Sequence, residues 1–106
     1  MINKKAAGQL ARTAHQAIQL AIKGFRKTME VGEMRGLTIK ADSAIIEVGW
    51  TLHLLNAPFD SDPLEVAELL KLIVGRVFPA GSPDGPASVE VIPAEQFHFT
   101  VTLAWR

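Results

Sequence analysis

The segment FHFTVTLAW, residues 97–105, alternates apolar and polar side chains over its whole length. Phe97, Phe99, Val101, Leu103 and Trp105 fall on one side, and histidine, threonine and alanine fall between them. Because successive side chains of a strand point to opposite faces, this pattern predicts a β-strand with one buried face. That face carries three aromatic residues, so we expect the core to form against it.

Composition restricts the class of protein. The chain has 106 residues, enough for one domain, and 48% of them are hydrophobic, the usual share for a globular protein. It contains no cysteine, which excludes disulfides, thiolate zinc sites and cysteine nucleophiles and favours a reducing, cytoplasmic location. No run approaches the roughly 20 apolar residues that span a bilayer. We therefore expect a single soluble domain, residues 1–106, with no membrane span.

Charge is unevenly distributed, although the net charge of the chain is zero. Residues 1–40 contain eight basic and two acidic side chains, a balance of +6, whereas residues 41–106 contain three basic and nine acidic ones, a balance of −6. Such asymmetry indicates either an anionic partner for the basic part or attraction between the two parts, within one chain or between two copies.

Two segments have the spacing of helices. From residue 4 to about 31, small and apolar side chains recur every three or four positions, with His15 expected at the edge of this stripe and Gly32 as a stop. The second helix is expected to begin at the N-cap Asp62, followed by Pro63, and to run to about Phe78. It is apolar over most of its circumference and so needs cover on more than one side.

The remaining segments have the period of strands. Residues 37–40 and 44–55 predict one hairpin, and residues 87–92 and 97–105 predict another. The order is therefore α-β-β-α-β-β. The fold class is α+β, a two-layer domain with a four-stranded, mostly antiparallel sheet and both helices on its aromatic face. The order of the hairpins stays open, as does whether residues 79–87 form a mobile lid or an ordered turn.

The polar face of the predicted sheet is the first candidate site. Its candidate residues are Glu47, Thr51, His53, Glu90 and His98. Histidine and glutamate bind metals or exchange protons where they converge, and His53 and His98 approach each other only if the two long strands are neighbours. The alternative is a solvated sheet face, which ordinarily has this composition. Since no catalytic or phosphate-loop motif is present, we assign no catalytic residue, metal or cofactor.

The aromatic side chains of the apolar face are the second candidate site. Trp50, Phe97, Phe99 and Trp105 are placed to line a cavity for a small apolar ligand between the helices and the sheet. The alternative is that these four side chains simply pack as core.

Three functions follow from these features. The first is a non-enzymatic, homo-oligomeric interaction module, with a homodimer that buries the excess apolar surface of the second helix. The second is a small-molecule-binding protein or minor enzyme that uses the aromatic pocket or the Glu47, His53 and His98 face. The third is an anion or nucleic-acid binder that uses the basic first helix. Nucleic acid is the least favoured partner, because the cations form no dense stripe and no aromatic residue lies among them.

Overall fold

The two long strands of the sheet are direct neighbours. The computed structural model describes residues 2–58, 60–79 and 82–106. Its elements are α1 (Lys4–Phe25), β1 (Glu30–Val31), β2 (Arg35–Ala41), β3 (Ile46–Leu55), α2 (Pro63–Val77), β4 (Ser88–Pro93) and β5 (His98–Trp105). β5 pairs with β3 on one side and with β4 on the other, and β1 and β2 pair with the far edge of β3, all antiparallel. The predicted α+β class is confirmed.

The apolar sides of β3 and β5 form the centre of the core. Seven side chains of these strands are at most 2% exposed: Val48, Trp50, Leu52, Leu54, Phe99, Val101 and Leu103. Helix α1 covers β1, β2 and β3, while α2 covers β4 and lies beside α1. Three buried alanines of α1 allow its backbone to approach the sheet closely: Ala7, Ala11 and Ala14. Both helices thus lie on the aromatic face, as the sequence predicts.

Helix α1 ends at Phe25 and not near residue 31, so that prediction is wrong. Met29 has helical spacing and is buried, but it lies in the connection that leads to β1. The two residues of β1, Glu30–Val31, pair with the end of β3 that β2 does not reach. This pairing provides hydrogen-bond partners for backbone groups at that end of β3. The periodicity of the sequence gives no sign of it, because periodicity reflects side chains and not backbone pairing. The described sheet therefore has five strands instead of the four expected.

Helix α2 begins where its capping residues predict. The Asp62 carboxylate accepts a hydrogen bond from the Leu64 amide at 3.0 Å, and Pro63 occupies the first turn, where no amide hydrogen is required. Only Ala67, Leu70 and Val74 of this helix are fully buried. Val66, Leu69 and Ile73 pack partly buried against the core, whereas Leu64 and Leu72 are left exposed.

Candidate functional site

The sheet face opposite the helices, here called the open face, carries the predicted polar residues. His53 and His98 occupy directly opposed positions on β3 and β5, so the condition set by the sequence, adjacent long strands, is met. Glu47 lies six residues from His53 along β3, which is about 20 Å for an extended strand. Glu90 pairs with Thr102, also away from the histidines. The fold brings the two histidines together and leaves the two glutamates apart from them.

The two imidazole rings are stacked. Their centroids are 4.1 Å apart and their planes differ by 6°. A metal ion bound through an imidazole nitrogen lies near the plane of the ring, and two nearly parallel planes do not meet at one ion. In the described part of the chain, no group of three or more His, Asp or Glu side chains is placed to hold a metal ion. The arrangement is therefore suited to hydrogen bonding and charge recognition.

A small cleft of about 180 Å³ opens beside the histidine pair. We call it the histidine cleft and define it by Glu33, Arg35, Thr51, His53 and His98. Glu33 and Arg35 belong to the β1–β2 connection and the start of β2, and the hydroxyl of Thr51 donates to the Arg35 carbonyl at 3.2 Å. The sequence-based set of candidates contains neither Glu33 nor Arg35. The chain bends at Gly36, which has a φ of +64° and lies where the β2–β3 register shifts. This glycine is the only local signal in the sequence for the bend.

A strained turn leads directly into His98. Gln96 and Phe97 have φ values of +54° and +59°, and the His98 amide donates to the Glu95 carbonyl. Two consecutive positive φ values are the requirement of a type I′ turn, which ordinarily uses asparagine and glycine. The left-handed conformation costs about 1–2 kcal/mol for a residue with a Cβ. The His98 ring is fixed by the same turn, because its Nδ1 lies 2.9 Å from the Glu95 carbonyl oxygen and donates to it.

Replacing Gln96 with glycine is expected to raise the free energy of unfolding by about 0.5–1 kcal/mol, because glycine is not strained at this positive φ and the exposed Gln96 side chain contributes no core packing. Urea unfolding followed by tryptophan fluorescence measures the change. The matched control is Ala94→Gly, at a φ of −118°, where glycine relieves nothing and should destabilise the fold. Equal effects at the two positions would contradict the prediction.

The predicted aromatic pocket residues occupy different environments. Trp50 and Phe99 are closed within the core, at 1% and 0% exposed, and Phe97 is half-buried with its ring 6.4 Å from that of Phe99. Trp105 donates from Nε1 to the Asp84 carbonyl at 2.9 Å and lines a surface pocket of about 230 Å³ at the other end of the sheet. A ligand pocket shared by the four side chains stays a prediction.

His15 is buried rather than at the edge of the apolar stripe, with 4% of its surface exposed. Trp50 donates from Nε1 to its Nδ1 at 3.1 Å, so this nitrogen is unprotonated and the ring is neutral. Its Nε2 donates to the Gly32 carbonyl at 2.9 Å, and the Gly32 amide donates to the His53 carbonyl at 2.9 Å. Burial lowers the pKa of His15 below its ordinary value, while the hydrogen bond to Gly32 opposes this in part. Through its hydrogen bond to Gly32, His15 thus holds the backbone next to His53 in place, beside the histidine cleft.

The helix layer leaves large apolar side chains exposed on its outer side. Leu64 and Leu72 of α2 are 66% and 64% exposed, and Leu20 and Phe25 of α1 are 75% and 61% exposed. The excess apolar surface expected of the second helix is therefore present at Leu64 and Leu72, and α1 does not cover it. This outer apolar surface is a further candidate site, suited to a protein partner.

No protein-family model, curated protein or solved structure matches this chain. Among the residues described, neither helix combines the length and the apolar character needed to cross a membrane.

Proposed function

We propose that this domain is a non-enzymatic interaction module that forms a homodimer through the outer face of α2. The observation that carries the proposal is the exposure of Leu64 and Leu72, about two-thirds each, on a helix that buries only three side chains fully. Removing a leucine side chain from water is worth about 1.5–3 kcal/mol when burial is complete. A two-fold dimer covers both leucines of both copies at once. The proposal includes the cytoplasmic location expected of a cysteine-free chain.

The charges of α2 support one orientation. Its N-terminal half carries Asp62, Glu65 and Glu68, and its C-terminal half carries Lys71 and Arg76. When two copies of α2 pack antiparallel, the acidic half of each meets the basic half of the other, whereas parallel packing opposes like charges. Complementary charges orient an interface and reject other arrangements. The helix is thus self-complementary in the way that a closed, symmetric dimer requires.

Light scattering on a size-exclusion column, near neutral pH and over a range of concentrations, tests the dimer. We expect the wild type to have twice the mass of one chain. The double variant Leu64→Gln/Leu72→Gln should have the mass of one chain and keep its circular dichroism spectrum, because neither side chain belongs to the core. A wild type that is monomeric at every concentration would overturn the proposal.

The matched control places the same substitution on the opposite side of the molecule. Ile92 is 52% exposed on the edge strand β4 and belongs to the open face, since it is paired with Thr100. The variant Ile92→Gln should remain a dimer. If it dissociates while the double leucine variant does not, the interface lies on the open face and the assignment to α2 is wrong.

A further inference from the structure

We propose that the histidine cleft binds a tetrahedral oxyanion of the phosphate or sulfate type. This inference is independent of the dimer, because the cleft lies at the end of the open face and α2 contributes no residue to its lining. Arg35, His53 and His98 supply three side chains able to carry positive charge, and they come from three different strands. Such convergence is the arrangement by which proteins recognise a compact anion with several acceptor oxygens.

Arg35 and His98 have donors suited to this ligand. The guanidinium of Arg35 is permanently charged and presents a planar set of N–H groups that matches two oxygens of a phosphate or sulfate. Nδ1 of His98 donates to the Glu95 carbonyl, so Nε2 is the nitrogen left to contact a ligand.

The stacking of the two rings links charge to ligand binding. Two imidazolium rings with centroids 4.1 Å apart repel each other. An anion bound between such rings offsets this repulsion. The other charged groups that line the cleft are Arg35, which favours an anion, and Glu33, which opposes one. The cleft therefore has one carboxylate against three side chains able to carry positive charge.

The backbone around the cleft is held in place by hydrogen bonds within the protein. The Thr51 hydroxyl donates to the Arg35 carbonyl, and the Gly32 amide donates to the His53 carbonyl. His98 directly follows the turn with two positive φ values. Strained backbone of this kind persists where the surrounding structure fixes it, and it is concentrated at binding and catalytic sites. The cleft is therefore pre-organised, which lowers the entropy lost when an anion binds.

Sulfate is the probe for the first experiment, because its charge does not change between pH 5 and 8. Proton NMR of the three histidine rings, recorded during a sulfate titration at constant ionic strength, provides an internal reference. We expect the ring signals of His53 and His98 to shift together as sulfate is added at pH 6, while those of buried His15 do not shift. Signals of His53 and His98 that do not respond up to tens of millimolar sulfate at pH 6 would overturn the proposal.

Variants then identify the groups responsible, with calorimetry as the readout and circular dichroism as the check on folding. Arg35→Gln and His53→Gln should each weaken sulfate binding about tenfold or more, and Glu33→Gln should strengthen it. Arg12→Gln removes an exposed arginine outside the cleft and should leave the affinity unchanged. Weaker binding by Glu33→Gln, or equal losses for Arg12→Gln and Arg35→Gln, would overturn the proposal in favour of a cationic ligand or of non-specific attraction. Inorganic phosphate is expected to bind at the same residues.

Discussion

Phe99→Ala is expected to lower the free energy of unfolding by about 3–5 kcal/mol. The Phe99 ring is 0% exposed on the central strand β5, between Leu52 of β3 and Pro93 of β4. Strands on both sides are hydrogen-bonded to β5, so the backbone cannot collapse into the cavity that the missing ring leaves. Domains of this size are ordinarily stable by about 5–15 kcal/mol, so the variant loses a large part of its total stability.

Urea unfolding followed by the fluorescence of Trp50 and Trp105 measures this loss. The matched control is Phe97→Ala, the same change two residues earlier, where the ring is only half-buried. Because less apolar surface leaves the core, Phe97→Ala should have less than half the effect. Equal losses at the two positions would show that burial against the sheet is not what makes Phe99 important.

His15→Leu is expected to lower the free energy of unfolding by about 1–3 kcal/mol at pH 8. The substitution leaves the Nε1–H of Trp50 buried without an acceptor, and an unpaired buried donor loses its hydration without compensation. The Gly32 carbonyl is less affected, because Gln19 donates to it from Nε2 at 3.2 Å. The double variant His15→Leu/Trp50→Phe removes donor and acceptor together and should recover part of the loss.

The same histidine is expected to make the wild type sensitive to acid. Its pKa is lowered in the folded protein, whereas in the unfolded chain it is about 6.5. The unfolded state therefore binds the proton more readily, so the stabilisation is complete above about pH 6.5 and is lost as the pH falls below it. Protonation of His15 at Nδ1 also points its N–H group at the Nε1–H of Trp50, so the hydrogen bond from Trp50 is lost. Two charged side chains, Arg12 and Glu33, line the same surface pocket as His15.

Stability measured as a function of pH, between 8 and 5, tests this expectation. The profile of His15→Leu should be flatter than that of the wild type. His53→Ala serves as the control, because it removes a histidine of the open face and leaves the buried one in place. If the profile of His15→Leu has the same slope as the wild type, other groups are responsible and the prediction is wrong.

Features that depend on neighbouring residues could be predicted from the sequence. Alternation along residues 97–105 predicts the burial of Phe99, Val101, Leu103 and Trp105, because the period of a strand is fixed by its geometry, although Ala104 on the other face is buried as well. Asp62 and Pro63 predict the start of α2 through the hydrogen-bonding needs of its first turn. The approach of His53 and His98 follows from the same periodicity once β3 and β5 are neighbours. That adjacency is a tertiary choice, which no local pattern contains.

Features that depend on distant partners could not be predicted. A histidine next to an alanine stripe is ordinarily an edge residue, and His15 is buried only because Trp50 and Gly32 satisfy both of its nitrogens. Helix α1 ends early because the chain after it forms β1, which pairs with the end of β3 that β2 does not reach. Arg35 joins the histidine cleft through a backbone bend at Gly36. In each case the outcome depends on a contact between residues that are far apart in the sequence, and local sequence patterns do not show which residues come into contact.

The pairing of β3 with β5 also has a consequence for the rate of folding. Ile46 pairs with Trp105 and His53 with His98, so all of α2 and β4 lies inside the loop that this pairing closes. Closing a long loop lowers chain entropy before any contact compensates for it, and proteins rich in such distant contacts fold slowly for their size. The β4–β5 hairpin is local and closes only a short loop. The addition of this hairpin to β3 is therefore the step expected to limit the rate at which the chain reaches its native structure.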